Sequence, residues 1–392
     1  MASEYRVDNP THQMPRLSGG WIRLGLIRLL GRFGFREETF VILTACGIGL
    51  LTGIGSVGFT KLIDCAHDLC YGEGMVAGIY RGRALFLILL PACGALLVGL
   101  ITFFFAREAR GHGVPEVMDA IARRDGVIRP RVAVAKAISS ALTIGSGGSA
   151  GTEGPIIQIG SAIGSASGQF FRVPGHHLPV LVGAGAAAGI SAIFHAPIAG
   201  VLFALEVLLR DVSFRTFSPV LIASVLSSVV VSALLGSNQA IFPLLHPDTD
   251  YSFRWIELGN YAILGLLCAV AAVGFIRLLY RTEDLFDGLR VHPVAKPVIG
   301  AIGLGLLGLA IAVLLGEIQA GRAPAIFGNG YPLIGRCIGA LAQQGVDHPF
   351  PLMVPILLFL VFAKALATSL TLGSGGSGGV FAPSLFLGAT LG

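Results

Sequence analysis

Glu153 is the residue of this chain whose placement asks most of its surroundings: it stands directly before Gly154 and Pro155, at the head of an apolar stretch. An ionisable group inside a bilayer costs on the order of 2.5 to 3.5 kcal/mol on insertion scales, so a carboxylate there reads as a functional group. The Gly-rich loop before it ends in Pro155, and a second such loop ends in Pro383. Proline in the first turn of a helix leaves several backbone N–H groups without an intrahelical acceptor. Each helix start also carries about half a positive charge. Two or more of them converging form an anion site that needs no cationic side chain, and a site of moderate strength lets the ion leave again. Glu153 competes with such an anion for the same N–H groups, so its protonation or displacement opens a path. The plainer account is that Gly and Ser turns let membrane helices approach closely. It covers the loops and leaves Glu153 without a reason.

Other chemistry has less behind it. GGSAG at 147–151 and GGSGG at 375–379 both fit G-x-S-x-G, the pattern of a nucleophile elbow. Nucleophilic catalysis needs one Ser with one base, whereas here the pattern is duplicated and has no matching His, so an intramembrane serine protease is a distant alternative and no enzyme is expected. No Lys-Ser or Lys-Thr pair follows the Gly-rich runs, which disfavours a phosphate loop. His195 reads as a hydrogen-bonded structural residue. Glu206 and Arg210, four apart, read as an intrahelical ion pair. His176 and His177 alone make a poor metal site, so neither metal nor cofactor is expected. Cys46, Cys65, Cys70, Cys93, Cys268 and Cys337 have no C-x-x-C spacing and read as buried reduced thiols.

The elements that must position Glu153 are membrane helices. Of the 392 residues 54% are hydrophobic and 12% charged, with mean hydropathy +0.79, far below the roughly 25% charged residues of a soluble domain. Stretches long enough for a hydrocarbon core of about 30 Å occur near 39–64, 84–106, 178–194, 217–235, 258–276, 297–315 and 351–372. Segments 133–144, 155–171 and 196–209 are shorter or Gly-rich and read as broken or tilted helices inside the bundle. Arg6, Arg16, Arg23, Arg28, Arg32 and Arg36 precede the first span with no cleavable apolar run before them. Residues 1–38 are therefore expected to form a cytoplasmic N-terminal segment of a cell (inner) membrane protein. Arg107, Arg110, Arg123, Arg124, Arg129 and Arg131 return to the same face two spans later. They are interspersed with acidic residues and lack aromatics, which speaks against nucleic acid as a partner.

An internal repeat organises these helices. Residues 136–164 align without gaps with 364–392 at an offset of 228, identical at 13 of 29 positions. Each copy has a membrane Lys (Lys136, Lys364), a GSGGS turn and a Pro that begins another apolar helix. A looser pair, GHGVP at 111–115 and GNGYP at 328–332, precedes each copy. Duplicated halves with helices broken by Gly and Pro point to a transporter or channel with its site between the halves. The spacing leaves open whether the copies run parallel or inverted.

The segments GHGVPE, GTEGP followed by IIQIG, GGVFAP and FHAPIAGVLFALE resemble the signature motifs of the CLC family of chloride channels and proton/chloride antiporters. The likeness runs from about residue 39 to the end. It implies an all-α polytopic membrane protein of tilted and broken helices in two inverted repeats, the first about 39–236 and the second about 258–392, with a pore in each subunit of a homodimer. Chloride or a similar monovalent anion is the implied ligand. The resemblance puts Glu153 on the gate, and Val380 and Phe381 on residues whose N–H groups hold the anion. His112 takes the place where many members use Ser, with Gly113 beside it. Thr152, where Arg is common, and Gly154 flank the gate, and Lys136 matches a buried base that raises the pore potential. Val207, next to Glu206, occupies the place of the internal proton-transfer Glu of exchangers. An apolar Val relays no proton, so the expectation is a gated chloride channel, with a proton-coupled exchanger as the alternative. The family continues beyond the position of Gly392, so the end of the second repeat, with any regulatory domain after it, is expected to be missing from this sequence.

Overall fold

The computed structural model describes residues 37–72, 85–236, 255, 257–315, 323–340 and 350–392, so nearly all of the expected N-terminal segment 1–38 lies outside the described residues. The described chain is all-α: Glu37–Tyr71 (α1), Phe86–Phe104 (α2), Val114–Arg123 (α3), Arg131–Gly145 (α4), Glu153–Phe170 (α5), Leu178–Phe194 (α6), Pro197–Phe203 (α7), Phe214–Leu235 (α8), Glu257–Gly288 (α9), Ala295–Leu314 (α10), Tyr331–Ala340 (α11), Phe350–Gly373 (α12) and Phe381–Leu391 (α13). Seven of the described helices are long and apolar enough to cross a membrane, and they coincide with the seven expected spans. The 35 residues of α1 make a rod of about 50 Å at 1.5 Å per residue, longer than the hydrocarbon is thick, which a bilayer accommodates by tilt.

Glycine sets a very close contact in the first repeat, where α5 crosses α6. A Cβ on Gly160 would lie 2.1 Å from the Gly185 carbonyl oxygen, and a Cβ on Gly185 would lie 2.0 Å from that of Gly160. Backbones that close leave no space for a methyl group, the small-residue packing expected between membrane helices.

The two copies of the repeat meet through contacts that come in pairs. Ser140 Oγ lies 2.9 Å from Ser377 Oγ, and at the offset of 228 the mirrored pair, Thr368 Oγ1 and Ser149 Oγ, is also 2.9 Å apart. The Ser377 N–H donates to Thr143 Oγ1 at 3.3 Å, and the Ser149 N–H donates to Thr371 Oγ1 at 3.0 Å. Contacts from i to j and from the mate of j to the mate of i require a two-fold relation. Gly151 and Gly379, which are mates, pair with each other in an antiparallel bridge, so the axis passes between them and the equivalent segments run in opposite directions. The repeats are inverted.

Two smaller expectations change. Glu206 and Arg210 form no ion pair among the described residues: 204–209 is a π turn and Arg210 follows it in the left-handed region at φ 52°. The extra residue per turn moves Arg210 off the face that an α-helix would give it. None of the six cysteines is fully buried, and Cys65 and Cys93 are exposed on their helices. All six are free thiols; Cys46, Cys70, Cys268 and Cys337 are half-buried, and Cys70 packs against the hydrophobic core.

Candidate functional site

The site lies where the two-fold relation brings helix starts together. Gly151 N–H donates to the Gly379 carbonyl at 2.7 Å, and Gly379 N–H returns a bond to the Gly151 carbonyl at 2.8 Å. The loop before α3 joins the same knot, with Gly111 N–H on the Gly376 carbonyl at 3.1 Å and Gly378 N–H on the Gly111 carbonyl at 3.3 Å. Its mate before α11 does likewise through Ala150 N–H on the Gly328 carbonyl at 3.3 Å. Four short or broken helices, α3, α5, α11 and α13, therefore begin around one small volume. Each has proline in its first turn: Pro115, Pro155, Pro332 and Pro383.

Buried lysines hold the outer pair of loops. Lys136 Nζ donates to the carbonyls of Ala109 at 3.1 Å and Gly111 at 2.7 Å. Lys364 Nζ repeats this on Ile326 at 3.0 Å and Gly328 at 2.9 Å. Both ammonium groups are fully buried. Turning carbonyl oxygens towards a lysine aims the N–H groups of the following turn away from it, towards the helix start. Lys136 therefore braces the GHGVP loop as well as contributing charge, a function its sequence position did not reveal.

Glu153, the first residue of α5, is 2% exposed. Its carboxylate accepts a hydrogen bond from the Tyr331 hydroxyl and a longer one, 3.4 Å, from the Ala382 N–H in the first turn of α13. The first-turn amides of α13 have no intrahelical acceptor, and Glu153 takes one of those donors. Thr152 is buried beside it. Gly154 has no room for a side chain: a Cβ would lie 2.1 Å from the His112 carbonyl oxygen and 3.0 Å from Gly379 Cα.

The remaining expected residues fall around this crossing. Gly113, in the left-handed region at φ 91°, starts α3, and its missing Cβ would lie 2.7 Å from the Gly154 carbonyl. Close approach to α5 thus needs glycine on both sides. His112 packs its carbonyl on Gly154, and the charged neighbours of its ring are Glu116 and Lys136. Val380 caps α13, its carbonyl taken by Ser384 N–H at 3.0 Å, while Phe381 is half exposed with its ring edge-on to Phe194 at 5.6 Å. Val207 sits apart in the π turn after α7. His195 ends α6 in the left-handed region, its Nδ1 3.4 Å from Ser232 Oγ, in the structural role expected.

Both candidate nucleophiles are consumed by the fold. Ser149 and Ser377 are fully buried, the first on Thr368 and the second on Ser140 and on the Ala109 carbonyl at 2.7 Å. Their duplication is the signature of the two-fold axis. Tyr331 is the functional-site residue that sequence reasoning missed. Its signal was present in GNGYP, the looser copy of GHGVP, as an aromatic ring with a polar tip at a loop end.

Comparison with known proteins agrees with this geometry. The family model described as voltage gated chloride channel matches residues 94–392. A putative chloride channel protein ClcB-like from Ralstonia nicotianae is 31% identical over 356 residues, 88% of this chain and 76% of that protein. An H(+)/Cl(-) exchange transporter ClcA from Citrobacter koseri is 32% identical over 396 residues, covering 98% and 77% respectively. Among solved structures, a slow cyanobacterial Cl-/H+ antiporter superposes with a TM-score of 0.71 at 24% identity over 90% of this chain and 77% of its own. A CLC-type fluoride/proton antiporter gives 0.68 at 24% identity, over 89% and 80%. These two establish a shared fold. With seven membrane-length helices among its described residues, inverted repeats and a carboxylate among four helix starts, this integral membrane protein belongs to the voltage gated chloride channel, or CLC, family of anion transporters.

Proposed function

We propose that this protein exchanges chloride, or a monovalent anion of similar size, for protons, with Glu153 as both gate and proton carrier. One observation supports this above others: the Glu153 carboxylate takes the Ala382 N–H at the meeting of α5 and α13, the place the helix starts make favourable for an anion. An anion passes when the carboxylate leaves, and a buried carboxylate leaves more readily with a proton on it. Gate movement and proton movement then share one group. The names of relatives agree, since both the Citrobacter protein and the cyanobacterial structure are described as exchanging chloride and protons.

The anion site in this reading comprises the backbone of Gly113, Gly154, Val380 and Phe381, with His112 and Thr152 at its edges and Lys136 supplying positive potential. With Val207 unable to relay protons, the second proton step falls to other groups, and His112 with Glu116 one turn later are the titratable candidates at the α3 start. Assembly as a homodimer, a cytoplasmic N-terminus and the cell membrane as location belong to the same proposal.

Val207 favours a second reading, a passive gated channel, which the sequence alone preferred. Liposomes holding equal chloride on both sides separate the two when a proton gradient is imposed. Exchange drives chloride uphill, and Glu153→Gln abolishes the coupling while chloride still moves passively. No uphill chloride movement in the unmodified protein would leave the channel reading in place.

A further inference from the structure

We infer that Tyr331 is the positioning residue of the gate, a phenol latch supplied by the second repeat that holds the Glu153 carboxylate in its blocking place. This rests on Glu153 being the gate. The crossing of the repeats explains why the phenol is there: Ala150 N–H binds the Gly328 carbonyl, which sets the residue three places before Glu153 against the residue three places before Tyr331. Lys364 fixes the same Gly328 carbonyl, and Asn329 Oδ1 accepts the Tyr331 N–H at 3.1 Å, so the first turn of α11 is held from both sides. The hydroxyl then reaches the carboxylate across 178 residues of sequence.

The latch is built asymmetrically. At the offset of 217 that relates GHGVP to GNGYP, the mate of Tyr331 is Val114, and at the offset of 228 the mate of Glu153 is Phe381. One half of the crossing holds an acid and a phenol where the other holds two apolar residues. A gate that responds to protons is therefore present once, on the α11 side. Residues on either side of Tyr331, Gly330 and Pro332, line a cavity of about 650 Å³ together with Asp64, His67 and Arg336.

Titratable and charged groups around the pair are few enough to interpret a pH profile. They are His112 and Glu116 at the α3 start, Lys136 on α4, Lys364 on α12, Cys337 on α11, and Asp64, His67, Tyr71 and Arg336 around the cavity; α6 and α13 contribute none within their own helices. A hydroxyl donating to the ionised carboxylate favours that form, so the latch makes the gate harder to protonate.

The test measures anion flux against pH for the full chain in liposomes. Tyr331→Phe keeps the ring and removes the donor. Its flux profile is expected to move to higher pH by about one unit, a roughly tenfold gain in the protonated fraction at a pH above the transition. Incorporation of 3-fluorotyrosine at 331, a stronger donor of nearly the same shape, is expected to move the profile the other way. Glu153→Gln in the same assay removes the profile altogether. If Glu153→Gln abolishes pH dependence while both Tyr331 changes leave the wild-type profile, the latch is overturned and the gate stands. If Glu153→Gln keeps the wild-type profile, the gate reading itself fails.

Discussion

Replacing Gly154 with alanine probes the crossing of α3, α5 and α13 with one methyl group. The new Cβ would lie 2.1 Å from the His112 carbonyl oxygen and 3.0 Å from Gly379 Cα, both backbone atoms that no side-chain rotation can remove. Ordinary contact begins near 3.4 Å, so the α3 start must retreat by more than an ångström. Overpacking of this kind costs about 1 to 3 kcal/mol. It also separates the amides that would share an anion, so chloride flux is expected to fall at least tenfold along with a lower unfolding temperature. Gly58→Ala in α1 is the control: nothing lies within 4 Å of its added Cβ, and alanine in a helix interior is worth about 0.8 to 1 kcal/mol over glycine. That variant should match or exceed the native stability with native flux. Thermal unfolding in detergent and chloride efflux from liposomes read both quantities. Native flux and stability in Gly154→Ala would refute the closeness of the crossing.

The two-fold relation makes a paired prediction. Lys136→Met and Lys364→Met each remove two hydrogen bonds from a charged donor to buried carbonyls, at roughly 1.5 to 3 kcal/mol per bond, so the loss of folded protein should be similar in the two; a large loss in one alone would break the equivalence. Ser149→Ala removes one buried hydroxyl contact and Ser377→Ala two, each worth about 1 kcal/mol, and anion flux should persist in both. Loss of a peptide-cleaving activity in either would revive the nucleophile. Outside the spans, Asp211 accepts from Thr216 Oγ1 at 2.7 Å and Ser213 Oγ at 3.0 Å, which holds its carboxyl below the usual value of 3.8. Its contribution to stability is present above about pH 3.8 and is lost as pH falls through the lower folded value. Asp211→Asn should therefore alter the dependence of unfolding temperature on pH only in that acid range.

The long spans were legible because hydropathy accumulates over 20 residues, and the broken ones because Gly and Pro interrupt it. Glu153 and the α13 start could be named from residue order alone, since a carboxylate before Gly-Pro in an apolar region has few bland explanations. Residue order could not show which loops touch. An offset of 228 says that Ser140 and Thr368 are equivalent, but not that each meets the other's neighbour across a two-fold axis. Tyr331 escaped because its reach to Glu153 depends on that axis and lies in the looser of the two repeat pairs. Glu206 and Arg210 were misread because an i, i+4 pair presumes α geometry, and a π turn stands there. The burial expected for the cysteines fails most clearly at Cys65 and Cys93, which are exposed: in a bilayer, an outward-facing apolar residue is as well solvated as a buried one.

The most direct measurement is the position of bromide, by its anomalous scattering, in crystals of the full-length Glu153→Ala protein. With the carboxylate gone, bromide should lie at the crossing of α5 and α13, against the amides around Gly154, Phe381 and Ala382. Bromide held only by lysine or arginine heads, with none at the crossing, would contradict the claim that broken helix starts create the anion site.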